Sequence, residues 1–325
     1  MKIQAIRFSE TGGPGVLRLE TIDLADPAEG EIRVRLAASG VNYIDTYQRS
    51  GLYKIPLPSG LGLEGAGRVE ALGRGVARFK VGDRVAYASG PPGAYAEAHN
   101  VRADRAVKIP DSISDETAAA MMLKGLTVRY LIKETYPVKA GETVLWHAAA
   151  GGVGLIACQW LKALGVTVIG TVGSEAKAQL ARAHGCDHAI LYRTEDVAKR
   201  VRELTGGAGV PVVYDSVGRS TFMASLDSLK VRGLLVIFGN ASGPVTGVDL
   251  SILTQKGSLY VTRPTAAHYA QTTEELDEAA ADLFDAVARG LVKIEIHQRY
   301  KLADSAECHR DLEARKTTGA SVLLS

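Results

Sequence analysis

Two spacings of apolar residues divide the chain. Up to about residue 125, short runs of β-favouring residues (Ala5–Phe8, Val16–Glu20, Ile32–Ala38, Gly67–Leu72, Arg84–Tyr87) alternate with glycine and proline turns. Val81–Val85 reads as a turn entering a strand, and Ala94–Ala98 reads as a further strand. Strands this dense, with few helices between them, predict an antiparallel, barrel-like domain. A helix is expected from Asp115 to Leu123, capped by Ser114 or Asp115, and a second through Tyr130 to Glu134. The intervening Lys124-Gly125-Leu126-Thr127 is the expected domain joint.

From Thr143 the spacing changes. Thr143–Trp146 is a short apolar strand, Leu155–Leu164 has helical spacing and stops before Gly165, and Val166–Val172 is a second buried strand. The alternation continues: helix Glu175–His184, strand His188–Leu191, helix Asp196–Thr205, strand Val210–Asp215, helix Thr221–Leu229, strand Leu234–Gly239. Leu259–Thr262 is expected at a sheet edge, Glu274–Arg289 as a long helix, and Ser321–Ser325 as a last strand. Repeated βα units with uniformly apolar strands predict a parallel, doubly wound sheet, so the fold class is α/β with a second, mainly-β domain.

The turn Ala149-Ala150-Gly151-Gly152-Val153-Gly154 is a G-x-G-x-x-G pattern with alanine in its first slot, lying between a strand and a helix. Ala149 is small enough for the tight turn, Gly151 admits a pyrophosphate close to the main chain, and Gly154 lets the helix pack on the strand. The helix N-terminus offers free N–H groups and the positive end of its dipole. An NAD site would place an acid at the end of the second strand to hold the ribose 2′-hydroxyl. Here Gly173 and Ser174 stand there, with Lys177 following. A missing carboxylate plus hydroxyl, N–H and lysine donors favours NADPH.

Charge and composition narrow the partners. The 325 residues carry 38 basic and 36 acidic side chains, with no long run of either sign, so no nucleic-acid stripe or disordered tail is expected. The chain length favours two domains. No signal-like segment and no apolar stretch approaching 18 residues is present, and a cytoplasmic protein is expected. Cys158, Cys186 and Cys308 lie far apart in sequence and fit reduced thiols.

Several segments together resemble the zinc-free quinone oxidoreductases, the ζ-crystallin-like branch of the medium-chain dehydrogenase/reductase superfamily. They are Gly12-Gly13-Pro14 with Val16-Leu17, Asn42–Tyr47, Leu61–Gly67, Val81–Val85, Ala148–Gly154, Asp215–Gly218 and Phe238–Asn240. The resemblance implies a GroES-like catalytic domain, residues 1–125 completed by 263–325, and a Rossmann NADPH-binding domain, residues 126–262, with the active site in the cleft. It carries cofactor contacts onto Tyr43, Lys124, Thr127, Tyr130, Gly151, Gly152, Val153, Gly173, Ser174, Lys177, Tyr192, Ser216, Val217, Phe238, Gly239, Asn240, Ser242 and, on a looser alignment of the tail, Arg315. It places Asn42, Asp45, Tyr47 and Tyr53 beside the nicotinamide, where Tyr47 and Tyr53 either orient or protonate an acceptor oxygen or simply line the substrate slot. Zinc-dependent relatives carry a cysteine and a Gly-His-Glu where this chain has Gly40–Asp45 and Gly62-Leu63-Glu64, so no zinc is expected. His147, His184 and His188 read as ordinary structural or surface residues.

Without a metal, an isolated alcohol is a poor substrate, whereas hydride addition to a conjugated carbonyl leaves a delocalised anion that hydrogen bonds can stabilise. The implied activity is NADPH-dependent quinone reduction by a homodimer. The alternatives are 2-alkenal or enone reduction at the same site and, in a different class, an RNA-binding or structural crystallin-like role.

Overall fold

The apolar spacings appear in the computed structural model, which describes all residues 1–325, as a succession of short strands and then of βα units. In chain order the elements begin with β1 (Lys2–Phe8), β2 (Arg18–Asp23), β3 (Glu31–Val41), α1 (Tyr43–Ser50) and β4 (Ser59–Gly60). Next come β5 (Glu64–Leu72), β6 (Arg84–Tyr87), β7 (Ala98–Arg102), β8 (Ala106–Lys108) and α2 (Asp115–Tyr130). The alternating part is β9 (Thr143–Trp146), α3 (Gly152–Ala163), β10 (Thr167–Val172), α4 (Glu175–Ala183), β11 (His188–Leu191) and α5 (Val197–Leu204). It continues with β12 (Val210–Asp215), α6 (Phe222–Ser228), β13 (Leu229–Ile237), α7 (Ser251–Gln255) and β14 (Tyr260–Thr262). The chain closes with α8 (Thr273–Ala288), β15 (Ile296–Lys301), α9 (Ser305–Glu313) and β16 (Ala320–Leu324). Two compact units result: Met1–Leu126 with Ala270–Ala288 and Ile294–Ser325, and Thr127–Tyr269 with Arg289–Lys293.

The first unit holds a three-stranded sheet, β2-β1-β4, and a seven-stranded one, β15-β16-β3-β5-β6-β8, with β7 also on β3. Along β3 every second residue, Ile32, Val34 and Leu36, is buried against Val69, Val85, Tyr87 and Val101, the period expected of a strand facing a core. The last strand is interior: β16 pairs Leu323 with Ser39 of β3 on one side and lies parallel to β15 on the other. β15 escaped the sequence reading because its residues, IHQRYK, show no buried position.

Three expectations need correction in this unit. Pro14–Val16 is a 3-10 turn, so the strand starts at Arg18 rather than Val16. Ala94–Glu97 is not a strand: its main chain bonds are divided among β1 (Ile6 N to Tyr95 O, Glu97 N to Gln4 O), Leu61 (from Tyr95 N) and β3 (Leu36 N to Glu97 O), and the ladder begins only at Ala98. The two helices expected on either side of Gly125 are one, α2, opened by Ser114 Oγ accepting from Thr117 N at 3.1 Å. Gly125 does not break it. A Cβ there would lie 2.5 Å from the Leu283 methyls of α8, so close packing requires glycine. A five-residue π turn, Leu131–Thr135, ends the run.

The second unit is a six-stranded, wholly parallel sheet in the order β11-β10-β9-β12-β13-β14. The first strand of the unit is central and the order reverses between β9 and β12, the doubly wound pattern whose ligands sit beyond the carboxyl ends of the strands. Leu145, Ile169, Val213, Leu235 and Ile237 form its core with Val201, Phe222 and Leu226 from the helices. β13 starts at Leu229, five residues before the expected Leu234, because exposed Lys230, Val231 and Arg232 hide its first half.

Candidate active site

The carboxyl ends of β9, β10, β12 and β13 carry most of the expected cofactor residues. After β9 the chain turns through Ala148, whose φ of 57° is left-handed, and Gly151 N donates back to Ala148 O at 3.0 Å. Gly151 is the N-cap of α3 and supplies no side chain to the first turn, which also lacks an acid. The N–H groups of Gly152 and Val153 therefore face no capping side chain, as an anion site requires. Gly154 is required by packing, since a Cβ would sit 2.4 Å from Ala148 O and 2.6 Å from Ala149 O.

At the end of β10, Ser174 caps α4, its Oγ accepting from Lys177 N at 3.4 Å, so Ser174 and Lys177 share one turn. Tyr192, following β11 and partly exposed, brings its hydroxyl over Gly173: a Cβ there would lie 2.8 Å from Tyr192 Oη. Gly173, Ser174, Lys177 and Tyr192 are thus one cluster, with no carboxylate at the strand end.

The loops after β12 and β13 are zipped together. Ser242 N and Oγ both donate to Val217 O at 2.8 Å, Ala241 N donates to Ser216 O, and a Cβ on Gly239 would press 2.4 Å from Ser216 O. Phe238 N bonds Asp215 O at 2.8 Å and its ring packs on Trp146; Asn240 is buried in the same loop. Thr127 and Tyr130 lie on the last turn of α2, with Tyr130 stacked on Tyr269 at 4.6 Å.

The remaining expected residues belong to the first unit. Asn42 caps α1 and forms a capping box with Asp45. Asn42 Nδ2 donates to Glu64 Oε2 at 2.7 Å, Lys124 Nζ bonds the same oxygen at 3.2 Å, and Leu123 N bonds Glu64 Oε1 at 2.7 Å. A buried carboxylate and a buried ammonium therefore meet over Asn42. Asp45 is fully buried: its Oδ2 accepts from Asn42 N (2.8 Å) and Tyr95 Oη (2.9 Å), and its Oδ1 has no partner. Burial pushes its carboxyl up to about 7, against the opposing pull of the Asn42 N–H, Tyr95 and Lys124. The chain of contacts continues from Tyr95 Oη to His309 Nε2 (3.1 Å), from His309 Nδ1 to Arg49 (3.1 Å), and from Arg49 to Glu313. Burial and the neighbouring Arg49 hold His309 down near 3, so it is neutral. Asp45 consequently presents no atom to solvent.

Tyr43, Tyr47 and Tyr53 form an aromatic ladder, with ring centroids 6.2 and 5.2 Å apart. Tyr43 Oη donates to Leu312 O at 3.1 Å, and Arg315, exposed and left-handed with φ 58°, donates its N–H to the same carbonyl. No three His, Cys, Asp or Glu side chains are grouped to hold a metal ion.

Comparison with known proteins places the chain in a family. Residues 28–111 match the model of the alcohol dehydrogenase GroES-like domain, and residues 152–284 that of the zinc-binding dehydrogenases. The quinone oxidoreductase of Pseudomonas aeruginosa is 60% identical over 320 residues, 98% of each chain. The chain belongs to the quinone oxidoreductase family. Within that family the crystal structure of Escherichia coli quinone oxidoreductase complexed with NADPH superposes with a TM-score of 0.98 at 55% identity, covering 99% of this chain and 100% of that one. A more distant relative, 2-haloacrylate reductase of a Burkholderia species, is 42% identical over 99% of each chain. The fold is thus the GroES-like plus Rossmann architecture of the medium-chain dehydrogenase/reductases.

Glu64, Tyr95, Arg49 and His309 were not singled out from the sequence. Only Glu64 offered a signal, an acid set in a glycine-rich apolar segment.

Proposed function

We propose that the protein reduces quinones at the expense of NADPH. The observation that carries this is the end of β10 in a family of quinone oxidoreductases: a carboxylate-free Gly173 beside Ser174, Lys177 and the Tyr192 hydroxyl. The uncapped first turn of α3 fits a pyrophosphate, and the β10 cluster fits a 2′-phosphate, so the residues suit the group. Bound NADPH supplies the hydride. The chain's own residues orient and exclude: Gly151, Gly152 and Val153 hold the pyrophosphate, and Ser174, Lys177, Tyr192 and Arg315 hold the adenosine phosphate. Ser216, Val217, Phe238, Gly239, Asn240 and Ser242 line the strand ends, while Lys124, Thr127, Tyr130 and Tyr43 complete the set of contacts.

Residues 126–262 form the cofactor-binding domain in this reading, and residues 1–125 with 263–325 the catalytic domain. Tyr47 and Tyr53 line the acceptor, and Asn42 stands beside the nicotinamide with its amide held by Glu64. Asp45 acts through Asn42, since its carboxyl is buried behind the α1 cap. Zinc is not used, because Asn42 and Leu63 occupy the positions of zinc ligands. A two-fold dimer forms through β14, an edge strand whose Tyr260 is 61% exposed. No helix is long and apolar enough to cross a membrane, and a cytoplasmic location suits the reduced cofactor.

The 42% identity with a 2-haloacrylate reductase favours one second reading, reduction of an activated carbon–carbon double bond. Initial rates with NADPH against a 1,4-quinone, a 2-alkenal and a 2-haloacrylate decide between them. The quinone is expected to give the highest kcat/KM. A higher value for either of the others selects the second reading, and no NADPH oxidation with any acceptor removes both.

A further inference from the structure

A buried chain of side chains in the second unit is not accounted for by any cofactor contact. His147, Thr171, Asp215 and Ser225 are each at most 2% exposed, and they come from the end of β9, β10, the end of β12 and α6. His147 Nδ1 lies 3.0 Å from Thr171 Oγ1 and its Nε2 lies 3.0 Å from Ser225 Oγ. Ser225 Oγ donates to Asp215 Oδ2 at 2.8 Å, as does Thr221 Oγ1 at 2.7 Å. Asp215 Oδ1 accepts from Val217 N (2.7 Å) and Gly218 N (3.0 Å). At the other end, Ala148 N donates to Thr171 Oγ1 at 3.3 Å.

With Asp215 as a carboxylate, these contacts assign every proton of the chain. The Asp215 carboxylate takes the Ser225 proton, so Ser225 Oγ must receive from His147, whose Nε2 carries the hydrogen. His147 Nδ1 is then a bare acceptor, filled by the Thr171 hydroxyl, and Thr171 Oγ1 keeps a lone pair for Ala148 N–H. The network is satisfied end to end with neutral imidazole, in keeping with burial lowering the affinity of His147 for a second proton.

Its two ends hold the backbone on both sides of the point where the sheet order reverses. One end fixes Ala148, a non-glycine residue in the left-handed region, a conformation that persists only where the surroundings hold it. Ala148 begins the turn that aims the α3 N-terminus. The other end fixes Val217 and Gly218, whose loop carries the Ser242 contacts. We propose that His147 is a positioning residue for the dinucleotide: as a neutral, Nε2-protonated bridge it locks the pyrophosphate turn and the 216–218 loop into one register. Disrupting the bridge weakens cofactor binding and leaves the chemistry of the reducing step in place. The inference rests on the reading of the second unit as the NADPH site.

The test is NADPH binding, titrated by nicotinamide fluorescence, for the wild type, His147→Phe, His147→Gln and Ser225→Ala. Gln can both accept from Thr171 and donate to Ser225, whereas Phe fills the space and does neither. Losing two buried hydrogen bonds is expected to raise the Kd of His147→Phe by about tenfold or more, and Ser225→Ala by roughly threefold to tenfold. His147→Gln should return to within about threefold of wild type. The kcat at saturating NADPH should stay within about twofold in all three. On the apo enzyme, ¹⁵N chemical shifts of His147 should report the Nε2–H neutral tautomer across the neutral range. A wild-type Kd retained by His147→Phe, an equal loss in His147→Gln, or the Nδ1–H tautomer would overturn the proposal alone. A wild type that does not bind NADPH overturns it together with the reading on which it rests.

Discussion

The two units build their sites from opposite materials. In the second unit the candidate crevice is made of main chain: uncapped N–H groups at α3, glycines whose side chains would collide with carbonyl oxygens, and loops zipped by backbone bonds. In the first unit the cluster is made of side chains taken out of water: Glu64 and Lys124 in contact, Asp45 with an orphan oxygen, and His309 kept neutral. Backbone dipoles carry no titrating proton, so the crevice should respond weakly to pH. Buried ionisable groups are held only by their partners, so the first cluster should be sensitive to charge removal and to pH.

The strongest way to break this contrast is Glu64→Ala. It leaves the Lys124 ammonium, 6% exposed, without its carboxylate, and takes the carboxylate acceptor at 2.7 Å away from both Asn42 Nδ2 and Leu123 N. Urea unfolding should show a loss of about 3–5 kcal/mol; a loss below about 1 kcal/mol would mean that the ion pair is not what holds this cluster.

Next in size is the pH response of Asp45. The folded carboxyl keeps its proton up to about 7, whereas its ordinary value is 3.8, so folding takes up a proton in that interval. The stability contributed by this group is full below about pH 4 and is lost as pH rises through 7, by as much as roughly 4 kcal/mol. Asp45→Asn keeps an oxygen for Asn42 N and Tyr95 Oη but does not titrate. Its stability relative to wild type should therefore improve between about pH 4 and 7 and level off above that. Parallel stability curves would show that the carboxyl ionises normally.

In the second unit, Lys177→Ala should weaken NADPH by about tenfold or more while leaving NADH nearly unchanged. Gly173→Asp should act in the same direction on NADPH, and its Cβ must also displace the Tyr192 hydroxyl. Equal losses for both cofactors would remove Lys177 from the phosphate site. The smallest effect is expected for Arg315→Gly, which relieves a left-handed non-glycine residue and should stabilise the fold by about 1 kcal/mol. If NADPH affinity also stays unchanged, Arg315 is not a cofactor contact.

The same contrast explains what could be read from the sequence. Ala149–Gly154 and Gly173–Lys177 are continuous stretches in which neighbours in the chain are neighbours in space, so their geometry was legible as spacing. The first-unit cluster joins residues 22, 60, 214 and 260 positions apart: Asn42 to Glu64, Glu64 to Lys124, Tyr95 to His309, and Arg49 to His309. No local pattern signals such pairs, because the partners meet only once β3, β5, α2 and α9 have packed. The sequence reads His147 as an ordinary structural or surface residue, and no local pattern marks its partners Thr171 and Ser225, which lie on separate elements. Ala94–Glu97 and Gly125 misled for a related reason: their backbone partners and packing neighbours are tertiary, and local propensity cannot register them.

The most direct test of the account is the ratio of kcat/KM for NADPH to that for NADH, measured with a quinone acceptor at fixed ionic strength. A carboxylate-free β10 end with Ser174, Lys177 and Tyr192 around it predicts a preference for NADPH of about tenfold or more. Equal values, or a preference for NADH, would contradict the assignment of that cluster to the 2′-phosphate.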